Sequence, residues 1–265
     1  MLKTEMRNPK TTHIDRMSPL EITRVMNEEN AVAVQAVEAV RPQIAQAIEA
    51  IAAALQTGGR LFYVGAGTSG RLGIIDAAEC PPTFGVSRDT VIGLMAGGLG
   101  AVVNASENRE DDPAASASEL KEYGLHPKDV VVGISAAGGA AYVLNALRYA
   151  KSLGCITVGI TSNPGSPIDL EADIAISPDT GPEVITGSTR LKAGTAQKLI
   201  LNMLSTGAMI RCGYVYENLM INLKPTNEKL RQRVIRIVSD ITGDSAEAAQ
   251  ARLEENGWVI REAVK

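Results

Sequence analysis

A chain of 265 residues with 45% apolar content can bury a full core, and with only 3% aromatics that core must be built from Ala, Val, Ile and Leu. A formal net charge of −4 offers no field to draw nucleic acid or an anionic membrane, so an anionic ligand has to be held by local donors. The three cysteines (Cys80, Cys155, Cys212) and two histidines (His13, His126) lie far apart, which gives no zinc-ligand spacing and makes each thiol read as a small buried apolar group.

Met1 to Lys10 is polar and lacks the apolar stretch of a secretion signal, so a reducing cytoplasm is the expected compartment. Ser18-Pro19-Leu20-Glu21 is a capping box with Pro at the first helical position, so a helix starts there. A second helical stretch is expected from about Ala31 to Leu55, interrupted or restarted at Pro42 and stopped by Gly58-Gly59. This arm is expected to cover a sheet edge or a partner subunit.

From Arg60 the rhythm changes. Short β-rich runs occupy Leu61–Val64, Val91–Met95, Val130–Ile134, Ile156–Ile160 and Ala172–Ile176, most followed by a turn and a helix-compatible stretch. Strands alternating with helices predict a doubly wound parallel α/β sheet with helices on both faces. The longest uncharged stretch, Val130–Leu147, is broken by glycines and reads as strand, loop and helix, not as a membrane span. A long apolar helix is expected from Ala193 to Ile210, then a charged helical tail from Asn227 with breaks at Gly243-Asp244 and Asn256-Gly257. The expected organisation is an N-terminal helical arm (1–58), an α/β domain (59–225) and a small helical tail (226–265).

Ligands of such sheets bind beyond the carboxyl ends of the strands, so the turns there carry the candidates. Gly65–Arg71 follows the first strand: Gly67 and Gly70 let the backbone approach a ligand, Thr68 and Ser69 add hydroxyls, and Arg71 adds charge. Its spacing matches neither a dinucleotide fingerprint nor a P-loop. In Gly181–Lys192, Ser188, Thr189, Arg190 and Lys192 crowd a helix start, where positive charge is unfavourable unless an anion is present. Glu183 there is a base, an acceptor for sugar hydroxyls, a cap, or an ion-pair partner of Arg190. Pro81-Pro82 should end the helix begun after the first turn, leaving Glu79 at a helix C-terminus, where the dipole disfavours a carboxylate and suits it to donating a proton. The acidic run Glu107–Asp112, with Glu110 at its centre, reads by itself as a solvated loop or helix end.

Gly181 to Lys198, reading GPEVITGSTRLKAGTAQK, resembles the signature shared by N-acetylmuramic acid 6-phosphate etherases and the glucokinase regulatory protein. The resemblance extends through Thr4-Glu5, Arg7-Asn8, Ile14-Asp15, GAGTSGRLGIIDAAECPPTFGV, Asn202–Thr206 and Thr226–Leu230, nearly the whole chain. It implies a sugar isomerase (SIS) fold with a five-stranded parallel sheet, and cleavage of the D-lactyl ether at C3 of the sugar with neither metal nor redox cofactor. Glu79 matches the proton donor to the leaving lactate, and Glu110 the second acid/base, which takes the C2 proton. The turn Ser135–Tyr142 departs from the family pattern: serine is usual at Ala137, arginine at Gly139, threonine at Ala140 and proline at Ala141. That turn commonly holds the substrate phosphate, which leaves Ser135, Gly138 and backbone N–H groups for the task here. The tail, Gly243–Lys265, resembles a shortened version of a longer helical segment.

The alternatives are a sugar-phosphate sensor without turnover, or an isomerase or lyase on a related sugar phosphate with Glu183 as base. In each case the partner is a sugar phosphate and the expected assembly a homodimer, with the site built from both subunits.

Overall fold

The computed structural model of the chain describes residues 2–104, 110, 114–222, 225 and 227–264. Ser18 caps helix α1 (Pro19–Ala39): its hydroxyl accepts from the Glu21 amide while the Glu21 carboxylate accepts from the Ser18 amide. α1 runs unbroken past Ala31, where a new helix was expected to begin. The break falls instead at Val40, and α2 (Arg41–Gln56) follows with Pro42 in its first turn, where a missing N–H costs nothing.

The central layer is one parallel sheet ordered β2-β1-β3-β4-β5, from strands β1 (Leu61–Gly65), β2 (Val91–Met95), β3 (Val130–Ile134), β4 (Ile156–Ile160) and β5 (Ile174–Ile176). β5 starts two residues later than its sequence run suggests, because Ala172 closes the short helix α7 (Pro167–Glu171). Between the strands lie α3 (Gly67–Phe84), α4 (Gly100–Val103), α5 (Ala115–Glu122) and α6 (Ala141–Ser152), and α8 (Lys192–Arg211) follows β5.

Side chains alternate across the pleat. Leu61, Tyr63, Val130, Val132 and Ile160 pack on α2, α3 and α8, while Phe62, Val64, Val131 and Leu94 pack on α5, α6 and α7. The arm's second helix therefore covers a face of the sheet, not an edge. Registers pair Gly65 with Met95 and Ile134, Ile134 with Ile160, and Ile160 with Ile176, so the turns after the strands open on one side.

α3 corrects a second expectation: Pro81 and Pro82 lie inside the helix, which runs on to Phe84 and stops at Gly85 in the left-handed region (φ 65). Burial of Cys80 and Phe84 against the sheet holds the last turn despite two missing amide donors. Glu79 is thus not at the helix terminus.

After a two-stranded antiparallel ribbon, β6 (Val215–Tyr216) and β7 (Leu219–Met220), come α9 (Glu228–Thr242), α10 (Ala246–Glu255) and α11 (Ile260–Ala263). They close around their own apolar cluster, including Val234, Val238, Ala249, Leu253 and Ile260. Gly243 ends α9, and Asn256-Gly257 separates α10 from α11, as expected. Trp258 adopts φ 62 there, and the Arg231 guanidinium lies 5.2 Å from its ring centre. Among the described residues no helix is long and apolar enough to cross a membrane.

Candidate active site

The chain leaves β1, turns at Ala66 and enters α3 at Gly67, whose φ of 54 favours glycine. Gly70 lies against β1: a Cβ would come 2.8 Å from the Gly65 carbonyl oxygen, so the helix could not start this close with a larger residue. Ala66 supplies no side-chain cap, and the amides of Gly67, Thr68 and Ser69 precede any acceptor within the helix. The positive end of an 18-residue helix is thereby presented to the ligand side of the sheet. Ser69 Oγ donates to Gln197 Oε1 at 2.9 Å. Arg71 faces elsewhere, donating to the Val102 and Ala101 carbonyls of α4 at 2.8 and 2.7 Å.

After β3, Ser135 Oγ accepts from the Gly138 amide at 3.1 Å. Gly138 (φ 78) permits nothing larger, since a Cβ would meet Ser166 Oγ at 2.1 Å. The Ala136 carbonyl accepts from Asn163 Nδ2, the Ser162 amide and Thr161 Oγ1, which pins the turn to the end of β4. Ala137, Gly139 and Ala140 contribute no side-chain donor. The N-cap of α6, Ala140, likewise has none, and the Tyr142 amide in its first turn donates to the Glu110 carbonyl at 3.0 Å.

The start of α8 is filled from within. Glu183 is fully buried, its two carboxylate oxygens accepting from the Lys192 and Ala193 amides at 2.9 Å each. Burial raises its carboxyl above the ordinary value, against the pull of those two amides. Lys192 is buried as well, with its ammonium ion-paired to Glu29 of α1. Glu29 also accepts from Asn8 Nδ2 at 2.7 Å and Lys10 Nζ at 2.9 Å. Burial alone would raise the Glu29 carboxyl, but the bonds from Lys192, Lys10 and Asn8 outweigh it and hold it below the ordinary range. The charge conflict visible in the sequence is thus resolved by two internal carboxylates. Ser188 and Thr189 are half-buried and Arg190 is exposed in the loop before the helix.

The N-terminal segment lies across this end of the sheet. Thr4 Oγ1 accepts from Asn163 Nδ2 at 3.0 Å, Asn8 donates to the Pro182 carbonyl at 3.2 Å, and Thr11 donates to the Val184 carbonyl at 2.9 Å.

Glu79 stands on the exposed face of α3, twelve residues on from Gly67. At 1.5 Å per residue that is about 18 Å along the axis. Glu110 is exposed, with its backbone held at the first turn of α6. The rest of the acidic run, Glu107–Arg109 and Asp111-Asp112, lies outside the described residues.

Two further groups belong to this half of the molecule; both lie within the motifs that carry the family resemblance, where nothing in residue type or spacing singled them out. Gln197, 1% exposed, stands beneath Ser69, and its Nε2 has no hydrogen-bond partner among the described residues. Asp76 accepts from Tyr63 Oη at 2.9 Å and Asn202 Nδ2 at 2.7 Å, tying α3 to β1 and α8. Burial raises its carboxyl, opposed by these donors and Ser205. Among the described residues no three His, Cys, Asp or Glu side chains gather to hold a metal ion.

A five-stranded parallel sheet covered on both faces, with glycine turns opening at one end, is a doubly wound α/β architecture, and the family models identify it as that of an SIS-domain protein. The family model for the glucokinase regulatory protein N-terminal SIS domain matches residues 43–151, and that for the SIS domain matches residues 115–207. Phosphoheptose isomerases from Neisseria gonorrhoeae (TM-score 0.56, 20% identity, 72% of this chain and 98% of that one) and Francisella tularensis (0.54, 18%, 73% and 100%) share the fold. At full length the similarity is much closer. N-acetylmuramic acid 6-phosphate etherase from Serratia proteamaculans (strain 568) is 54% identical over 263 residues, 99% of this chain and 89% of that protein. The Pasteurella multocida (strain Pm70) protein of the same name is 55% identical over 257 residues, 97% of this chain and 85% of that one. The chain belongs to the N-acetylmuramic acid 6-phosphate etherase family.

Proposed function

We propose that this protein cleaves the D-lactyl ether of N-acetylmuramic acid 6-phosphate, a carbon–oxygen lyase reaction giving N-acetylglucosamine 6-phosphate and D-lactate. The observation that carries the reading is 54% identity to an etherase over 99% of the chain. In this reading Glu110 takes the C2 proton, which the neighbouring aldehyde acidifies, and Glu79 protonates the ether oxygen as the C3–O bond breaks. Lactate leaves, a C2–C3 double bond forms, and water then adds at C3. Gly67, Thr68, Ser69, Gly70, Ser135 and Gly138 hold the sugar phosphate at the strand ends, with Ser188, Thr189 and Arg190 covering it. Glu183, Lys192 and Arg71 act indirectly, by fixing α8 and α4. The reaction belongs to amino-sugar catabolism and peptidoglycan recycling in the cytoplasm.

The working unit is a homodimer whose site draws on both subunits. The distance of about 18 Å along α3 from its first turn to Glu79 exceeds the span of a hexose 6-phosphate between phosphorus and the C3 substituent. A phosphate at the start of α3 therefore needs its glutamate from a second copy. The apolar outer surface supports this: Met203, 40% exposed, lines a groove of about 760 Å³ between α2 and α8 together with Ile44, Ile48 and Leu199, and Ile75 of α3 and Ile210 of α8 are 59% and 50% exposed.

The direct test is D-lactate release from N-acetylmuramic acid 6-phosphate in ¹⁸O-labelled water. The expected outcome is release, with solvent oxygen at C3 of the sugar and not in the lactate, and loss of turnover in Glu79→Ala and Glu110→Ala. No lactate from the wild type, or full activity in either variant, removes the proposal.

A further inference from the structure

Two long helices begin on the ligand side of the sheet, and they are finished differently. Both leading amides of α8 are taken by Glu183, so that terminus has no capacity left for a ligand. At the start of α3, Ala66 offers no cap, and the amides of Gly67, Thr68 and Ser69 lie ahead of any helical acceptor. A bare helix start is common. What distinguishes this one is the side chain buried beneath it.

Gln197 reaches from α8 to the first turn of α3, where its Oε1 accepts the Ser69 hydroxyl proton at 2.9 Å. The other half of the same amide, Nε2, is buried and has no partner among the described residues. A buried amide donor left unpaired is costly, so its retention calls for an acceptor that arrives from outside. The acceptor also has to suit its surroundings: the positive end of α3, further free N–H groups, and a Ser69 proton already committed to Gln197. Such a place offers donors in excess, which fits an oxyanion better than a sugar hydroxyl.

We infer that Gln197 is a ligand-binding residue whose Nε2–H donates to a phosphate oxygen of the sugar phosphate, completing a cradle with the first amides of α3. The inference rests on the proposed sugar-phosphate substrate for its kinetic arm only. It also accounts for how the chain manages with a turn at Ala137–Ala141 that has no hydroxyls.

The test uses the full chain with Gln197→Met, which removes the amide, and Gln197→Glu, which keeps an acceptor for Ser69 but loses the donor. Thermal stabilisation by inorganic phosphate is read first, because it needs no turnover. Wild type is expected to gain stability with phosphate and both variants to lose that gain, each compared with its own melting temperature in the absence of phosphate. If the Met variant does not fold, the near-isosteric Glu variant carries the comparison. With N-acetylmuramic acid 6-phosphate, KM is expected to rise about 10- to 100-fold, with kcat within a few-fold of wild type. A wild type unmoved by phosphate, or a folded variant that keeps the full shift, overturns the inference; the latter also covers a buried water satisfying Nε2. If no lactate is released by any form, the etherase reading fails while the phosphate shift still decides the role of Gln197.

Discussion

Lys192 at the start of α8 and Glu29 on α1 form an ion pair in which both side chains are almost wholly out of solvent, at 2% and 3% exposure. The pair joins the N-terminal segment to the helix that backs the site, because Asn8 and Lys10 converge on the same carboxylate. Removing one partner strands the other. Glu29→Ala is expected to cost about 3–5 kcal/mol, seen as a lower urea midpoint at unchanged slope. Replacing both with apolar residues should cost less than the sum of the single changes.

The same carboxylate gives a pH signature. The folded Glu29 carboxyl titrates below its ordinary value of 4.5, so its contribution to stability is complete above that value. The contribution fades as pH falls toward the folded value, because the unfolded chain then binds the proton more readily. Glu183 has the opposite sign: its raised carboxyl favours the folded state at low pH and loses that advantage as pH rises. Urea midpoints of wild type and Glu29→Gln should therefore converge as pH drops below 4.5. Parallel curves would show that Glu29 titrates normally.

Glu183→Ala leaves the Lys192 and Ala193 amides without their acceptor in a buried place. A loss of about 1–3 kcal/mol is expected, with Glu183→Gln recovering part of it. Because Ser188–Arg190 lead into the same helix, KM should rise more than kcat falls. A collapse of kcat in a well-folded Gln variant would instead make Glu183 a base.

Ala140 is the N-cap of α6 and offers no side-chain acceptor. Ala140→Ser should add about 0.5–2 kcal/mol of stability, read by thermal denaturation. Ala137→Ser adds a hydroxyl to the turn after β3. It should lower KM for the phosphorylated sugar about 10-fold, as one hydrogen bond to a charged group would.

How far the letters of the chain foretold this molecule depends on the range of the forces involved. The strands were legible because β-branched runs meet glycine turns locally, and the Ser18–Glu21 cap because its partners are three residues apart. The length of α3 was not: two prolines argue for a stop, and only burial of Cys80 and Phe84 against distant strands overrides them. Positive charge at the start of α8 signalled an anion, but its source lay 163 residues away on Glu29. Gln197 lies inside the Gly181–Lys198 signature, but its letters do not single it out: that its Nε2 has no partner among the described residues is a fact of three-dimensional packing. Arg71 looked like a ligand contact from its neighbours, yet reach and geometry commit it to α4.

Trp258, stacked by Arg231 within the C-terminal helices, is the single tryptophan of the chain. Indole fluorescence is therefore a local gauge of those last three helices and blind to the sheet, whose melting would register in far-ultraviolet ellipticity. Were the two signals to part on heating, the tail would be behaving as a cooperative unit of its own; were they to coincide, the chain would melt as one.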